Sequence, residues 1–245
     1  MRENLMRKAF TRTAHLSVVL WLALPLIGEA LLGEDGTEFL QRAHRARAVW
    51  NGFPGFRAEI TVSDGAVIAQ GNLLISPTGQ LTIDVNQAPA WLEGKLKSFI
   101  EHRFSASDDY QAEIIQEATT HPLGTLLAIK GDSLMGSRYR ILDDVIREVH
   151  RQPESGRFTI TVLDVHRNPQ GKYLPRVYSV SFWDSAGNLV ATTVELDEWT
   201  RVADWDLPLS ITTVRTASSH QREVRQIRFT NHVLLESPVA DSQAP

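Results

Sequence analysis

No cysteine occurs anywhere in the 245 residues. That absence excludes a disulfide framework, a thiolate metal site, a cysteine nucleophile and lipid attachment at an N-terminal cysteine. The fold must hold by packing alone. An excess of one charge is missing as well. The 25 basic and 29 acidic residues nearly balance, so no nucleic-acid partner is expected and no acidic tail is indicated. Metal-ligand spacing is also lacking. Among His44, His102, His121, His150, His166, His220 and His232, none forms the His-x-x-x-His pair that holds zinc. The acidic pairs Asp108-Asp109, Asp143-Asp144 and Asp197-Glu198 lack the alternating oxygen ligands of a calcium loop, and turns and strand ends account for them. No metal and no cofactor is expected.

Long apolar runs are scarce. The longest, Leu16 to Ile27, falls short of the roughly 20 residues that span a bilayer. Arg2, Arg7, Lys8 and Arg12 precede it, and Gly28-Glu29-Ala30 supplies small residues at the two positions a signal peptidase reads. The expectation is a signal peptide over residues 1–30, with Pro25 breaking its helix near the cleavage point; a retained anchor is the alternative. The protein is then exported, periplasmic or extracellular, and touches membrane only through that segment. A linker over 31–36, one domain over 37–235 and a polar tail over 236–245 complete the expected organisation.

What is present is a change of period. Phe39, Leu40, Ala43, Ala46 and Trp50 recur at helical spacing behind a cap at Asp35 or Thr37, and Asn51-Gly52 marks the end. From Phe56 the pattern becomes two-fold. Phe56, Ala58, Ile60 and Val62 alternate with Arg57, Glu59 and Thr61, which predicts a half-buried strand. Turns at Ser63-Asp64-Gly65 and Pro77-Thr78-Gly79 join it to strands over 67–75 and 81–85. A second helix follows Pro89, with Trp91, Leu92, Lys95, Leu96, Phe99, Ile100, Arg103 and Phe104 on one stripe. His102 and Arg103 at its end read as cations set against the helix dipole. The stretch 105–118 fits helix end or strand, and the hairpin turn at His121-Pro122-Leu123-Gly124 favours strand. Further strands are predicted over 125–129, 137–142, 145–151, 158–166, 173–184, 189–199, 209–217 and 224–235. The whole is α+β: a curved antiparallel sheet, half-barrel-like, with two principal helices.

The runs Phe53-Pro54-Gly55-Phe56-Arg57-Ala58, Met135-Gly136-Ser137-Arg138-Tyr139-Arg140, Val149-His150-Arg151 and Tyr173-Leu174-Pro175-Arg176-Val177-Tyr178 together resemble the domain-of-unknown-function family 3386, known from cyanobacteria and other bacteria. The resemblance covers about residues 38–235. It implies no catalytic or binding residue, because the family has none assigned. Cyanobacterial members look cytosolic, whereas this chain carries an export signal. The order of elements also resembles the periplasmic lipoprotein-carrier fold, a curved half-barrel closed by helices over an apolar cavity.

Gly131-Asp132-Ser133-Leu134 spells the signature of a family of serine esterases. Those enzymes place it near the mature N-terminus, with Gly-x-Asn-Asp and Asp-x-x-His elsewhere; neither motif occurs in this sequence. A serine without a base is not an activated nucleophile, and a turn explains the tetrapeptide. The expected function is therefore non-enzymatic: an apolar small molecule or lipid held between sheet and helices. Trp50, Trp91, Phe99, Tyr139 and His150 are the candidate lining residues, although aromatics on helices are more often core. An envelope interaction or assembly protein is the alternative, favoured if the core proves filled. A hydrolase using Ser133 is the remote one. Replacing Ser133 by alanine is expected to leave any ester hydrolysis by the full chain unchanged; loss of activity in that variant would restore the hydrolase.

Overall fold

The computed structural model describes residues 35–65, 67–104, 110–131, 136–154, 156–219 and 221–236. The signal segment, Ser133 with its neighbours and the tail beyond Glu236 lie outside them. Helix α1 spans Gly36–Arg45. The Asp35 side chain accepts the Thr37 N–H at 2.9 Å, Glu38 occupies the first turn, and Arg42, His44 and Arg45 close the last. It stops five residues short of Trp50, contrary to the predicted stripe. Ala46 accepts the Tyr173 N–H at 2.9 Å and Ala48 donates to the Tyr173 carbonyl at 2.8 Å, so β pairing takes these residues from the helix.

Twelve strands follow. They are β1 (Phe56–Asp64), β2 (Val67–Ile75), β3 (Leu81–Val85), β4 (Gln111–Ile115), β5 (Thr125–Lys130), β6 (Arg138–Leu142), β7 (Val145–Arg151), β8 (Arg157–Arg167), β9 (Tyr173–Trp183), β10 (Leu189–Val202), β11 (Trp205–Ala217) and β12 (Arg222–Leu234). Helix α2 (Trp91–Glu101) lies between β3 and β4. The strands form one open, curved antiparallel sheet in the order 3-2-1-12-11-10-9-8-7-6-5-4. Every neighbour pair is also consecutive in sequence except β1 with β12. The two edge strands, β3 and β4, are the ones that α2 connects.

Bulges bend the longest strands where proline enters them. Pro208 pairs with Trp199 where the β10–β11 register shifts, and Pro175 pairs with Val165 beside shifts in the β8–β9 register. A proline cannot supply a ladder N–H, and at a bulge none is required. This is why β11 begins at Trp205, four residues before the predicted start at Leu209.

Side chains directly opposite each other across a ladder share a face. Starting from Val62, the chain of partners runs through Ile227 and Ile211 to Asp197. Two residues along β10 on the same face, Glu195 leads through Tyr178 to Val162; Val180 and Ile160 then lead to Val149, Tyr139 and Leu127. One continuous inward face thus crosses the sheet and carries two buried clusters. The first joins α2 (Leu92, Leu96, Phe99, Ile100) to β1, β2, β11 and β12, with Trp50 and Phe53 beneath. The second joins α1 (Leu40, Ala43) to β4 through β7.

Helix α2 has no side-chain cap, and its Glu93–Lys97 pair is exposed, so tertiary burial holds it. Leu96 is fully buried. Replacing it by alanine is expected to lower the unfolding free energy by about 3 kcal/mol in chemical denaturation, from lost transfer energy plus the cavity left behind.

Candidate functional site

The helices cover the two flanks of the sheet and leave its middle. Among the described residues, α1 makes its main contacts with β4 and β7, and α2 with β3. Both helices start at the end of the sheet where Gly36 meets Ala112 and Trp91 meets Asp64. Their C-terminal ends converge. The Trp50 N–H donates to the Arg103 carbonyl at 2.6 Å, and Arg47 Nη2 donates to the His102 carbonyl at 2.8 Å. Between them lies the inward face of β8, β9 and β10.

On β8 and β9 that face is apolar and incompletely covered. Phe158, Ile160 and Val180 are half-buried, Val162 is buried and Phe182 is 37% exposed. Outward neighbours on the same strands are Thr159, Thr161, Ser179 and Ser181, so the alternation is apolar-in and polar-out. On β10 the inward row turns polar. Thr193, Glu195 and Asp197 are all buried. Glu195 is held from two sides, by Lys95 of α2 at 2.8 Å and by the Thr213 hydroxyl at 2.6 Å.

Asp197 and Arg103 lack such partners. Arg103 is 5% exposed, and its Nε and Nη1 have no hydrogen-bond acceptor; Asp197 is 6% exposed, and its Oδ1 has no donor. The Arg103 guanidinium lies over the rings of Trp199 at 5.1 Å and Phe99 at 5.9 Å. Burial pulls Arg103 down to about 10, against the opposing pull of Asp197. Burial pushes Asp197 up to about 7, reinforced by Glu195 and opposed by Lys95 and Arg103. Desolvation, then Asp197 and Glu195, raise the Tyr178 hydroxyl well above its ordinary value. The floor between the two cores is therefore a strained set of charges.

His102 belongs to the same set. Partial burial, then Arg103, Arg47, Lys95 and Arg151, hold its imidazole down to about 4, although part of the residue remains in water. The direction agrees with the four cations around it. Arg103, just past the α2 C-terminus, turns its guanidinium inward over Trp199 and Phe99.

The structure brings some of the candidate lining residues together and separates others. Trp50 is buried, stacks on Phe53 at 4.4 Å, meets Phe99 edge-on at 6.1 Å and donates its indole N–H to the Asp206 carbonyl at 3.2 Å. Phe99 stacks on Trp199 at 5.6 Å. Trp91 packs at the far end of the same cluster, its indole N–H on Asp64 Oδ2 at 2.6 Å and the Arg225 guanidinium 5.3 Å above its ring. The space beneath α2 is thus filled by side chains. Tyr139 lies in the second cluster, where its hydroxyl accepts from Arg151 Nη2 at 3.1 Å. His150 is adjacent to Val149, the partner of Tyr139, and so projects from the opposite face, with Nε2 2.6 Å from Glu148 and Nδ1 2.9 Å from Thr159. Neither it nor Tyr139 joins Trp50, Trp91 and Phe99.

Sequence reasoning missed Arg103, Asp197 and Glu195 as a group. Period two places Glu195 and Asp197 on one strand face, and that signal was available; the convergence with Arg103 is tertiary. Among the described residues, no group of three or more His, Asp or Glu is placed to hold a metal. No helix among them is long and apolar enough to cross a membrane. A groove of about 540 Å³ lies on the outer face, lined by Arg57, Glu59, Asn72, Leu74, Thr82 and Asp84.

These features define an α+β half-barrel whose inward face carries a charged floor between two apolar cores. The chain belongs to the family described as protein of unknown function DUF3386, whose model matches residues 33–235. This is the family that the residue blocks resemble. Comparison with curated proteins gives no match. Among solved structures, a LolA superfamily protein of Nitrosomonas europaea is 10% identical, with 84% of this chain and 96% of that one covered and a TM-score of 0.36. A putative outer membrane lipoprotein-sorting protein domain of Vibrio parahaemolyticus is 9% identical, with 81% and 91% covered and a TM-score of 0.31. The MucA/MucB complex of Pseudomonas aeruginosa gives 9% identity, 82% and 99% coverage and a TM-score of 0.22. At such scores these likenesses supply no residue correspondence.

Asp197 faces Lys95 and Arg103 from the α2 side, Glu195 on its own strand and Tyr178 on β9. Its folded-state value lies above the ordinary 3.8, so its ionisation costs the folded state more than the unfolded one. The cost is absent below about pH 4, grows as pH rises toward 7, and is constant beyond. Asp197→Asn removes it. The variant is expected to unfold at the same midpoint as the wild type at pH 4 and to be more stable at pH 8, by no more than about 4 kcal/mol. His102 contributes the opposite slope to both proteins and cancels in the comparison. Equal midpoints at pH 8, measured by thermal and urea denaturation, would refute this account of the floor.

Proposed function

We propose that the protein is a non-enzymatic binder or carrier of a ligand with an apolar body, seated on the inward face of β8, β9 and β10 between the two helices. One observation carries the reading. Strands β8 and β9 keep an apolar, half-exposed inward face between the two cores, whereas a sheet with no ligand to hold would gain by covering it. The end of the sheet away from the helix convergence supports it too. There Val67, opposite the inward Asp64 at the β1–β2 turn, is 57% exposed. The N-terminal sequence adds an expected place of action outside the cytoplasm, where lipids must cross water. The seat differs from the one expected beneath α2, because Leu92, Leu96, Phe99 and Trp50 fill that space.

The filled core beneath α2 favours a second reading, an envelope interaction protein that uses its outer face. Its sheet edges are poorly suited to strand addition, since β3 and β4 are only five residues each. Uptake of the neutral fluorophore N-phenyl-1-naphthylamine separates the two readings. The wild-type chain is expected to bind it with enhanced emission, and Ile160→Asp to weaken that binding about tenfold or more while retaining a cooperative unfolding transition. Absence of uptake by the wild type, together with no co-purifying lipid by mass spectrometry, would leave the interaction reading.

A further inference from the structure

We propose that the point where the two helices converge is a head-group site: Arg47, Arg103 and Arg151 recognise an anionic group, carboxylate or phosphate, at one end of an amphiphile. This rests on the trough reading above and adds the chemical class of the ligand. Arg47 donates to the His102 carbonyl at 2.8 Å, and the charges of Arg103, Lys95 and Arg151 also act on the His102 imidazole. Among the described residues, only Lys95 of these four pairs with a carboxylate, Glu195 at 2.8 Å. Arg47 donates to a backbone carbonyl, and Arg151 donates to the Ser137 hydroxyl at 3.3 Å and the Tyr139 hydroxyl at 3.1 Å. None of these partners carries negative charge. Arg103 leaves two nitrogens unmet in a site closed to water.

Magnitudes separate a ligand site from an ordinary core arrangement. Burying a guanidinium with unmet donors costs several kcal/mol. The faces of Trp199 and Phe99 return only part of that cost. Asp197 lies in range of Arg103 but forms no ion pair with it among the described residues, and it offers its own unmet oxygen. A protonated Asp197 would donate to an anionic head, and the guanidinium forks would take its remaining oxygens. An apolar tail would then extend over Val180, Ile160 and Phe158, which lie on the same face.

The test is displacement of N-phenyl-1-naphthylamine from the full chain by amphiphiles that share a dodecyl tail. Dodecanoate and dodecyl phosphate are expected to displace it at concentrations about tenfold below 1-dodecylglycerol, which is neutral. Arg103→Gln, Arg47→Gln and Arg151→Gln should each shrink that preference while fluorophore uptake persists. Arg47 and Arg151 are half-buried, so they preserve the test if the Arg103 variant fails to fold. Equal potency of anionic and neutral amphiphiles on the wild type would overturn the head-group site and leave the trough intact. No uptake at all would remove the trough itself. If inorganic phosphate alone raised the unfolding midpoint as far as dodecyl phosphate does, a free anion rather than an amphiphile would be the ligand, and the proposal would fail.

Discussion

The ladder between β1 and β12 carries the architecture. Every other pairing in the sheet joins strands adjacent in sequence, each closed by a short connection. Phe56–Asp64 against Arg222–Leu234 is the exception, bringing together segments more than 150 residues apart. Through it the β1–β2–β3 meander and α2 are attached to the rest of the sheet. Ile60 opposite Phe229 and Val62 opposite Ile227 make that attachment apolar and fix its register, since a one-residue slip would turn these side chains outward. Closing so large a loop is entropically costly and slow, and the ladder returns the cost only when the α2 cluster forms with it.

That single long-range closure also explains where the charges lie. Once β12 zips to β1, α2 must cross the inward face from the β3 edge, and its stripe fills the space over β1, β2, β11 and β12. Helix α1, tied by Thr37 to the backbone of Ala112 at 3.0 Å, completes a separate core over β4 to β7. Among the described residues, neither makes its main contacts with β8 or β9. The last residue of each helical segment to carry a long cation, Arg47 after α1 and Arg103 after α2, arrives where the cores stop. Opposite them stands the polar row of β10. The floor is a consequence of two cores that do not merge.

Much of this is legible from period alone. Alternation from Phe56 onward gives the strands, because each is buried on one side and solvated on the other. The boundaries that fail do so for local reasons. Trp50 shares the helical spacing of α1 but enters the core from extended chain, since pairing with Tyr173 takes Ala46 and Ala48. Pro208 looks like a strand entry and instead lies within β11 at a bulge. The site is less legible. Asp197-Glu198 reads as an acidic pair, yet alternation sends Asp197 inward and Glu198 outward to the Ser210 hydroxyl at 2.7 Å. Arg103 fits a solvated helix end equally well. Only the convergence of two segments 50 residues apart in sequence reveals its burial, and no local pattern encodes that.

The placement of Arg103 and Asp197 is hard to reconcile with selection for stability alone. Their neighbours are aromatic and aliphatic, and a leucine or methionine at either position would remove an unmet polar group from the interior. Elsewhere the Asp35 cap, the prolines at bulges and the Thr and Ser on the outer faces of β8 and β9 agree with the fold, while Arg147 and Arg225 each also bury an unmet Nε. One region breaks those rules on several counts at once, with an unmet cation, a carboxyl held near neutrality and an apolar face left half-covered, and these are the features the proposed ligand would meet. An amphiphile supplies each of the absent terms together. Its head would meet the open donors and acceptor, and its tail would finish the core that neither helix reaches.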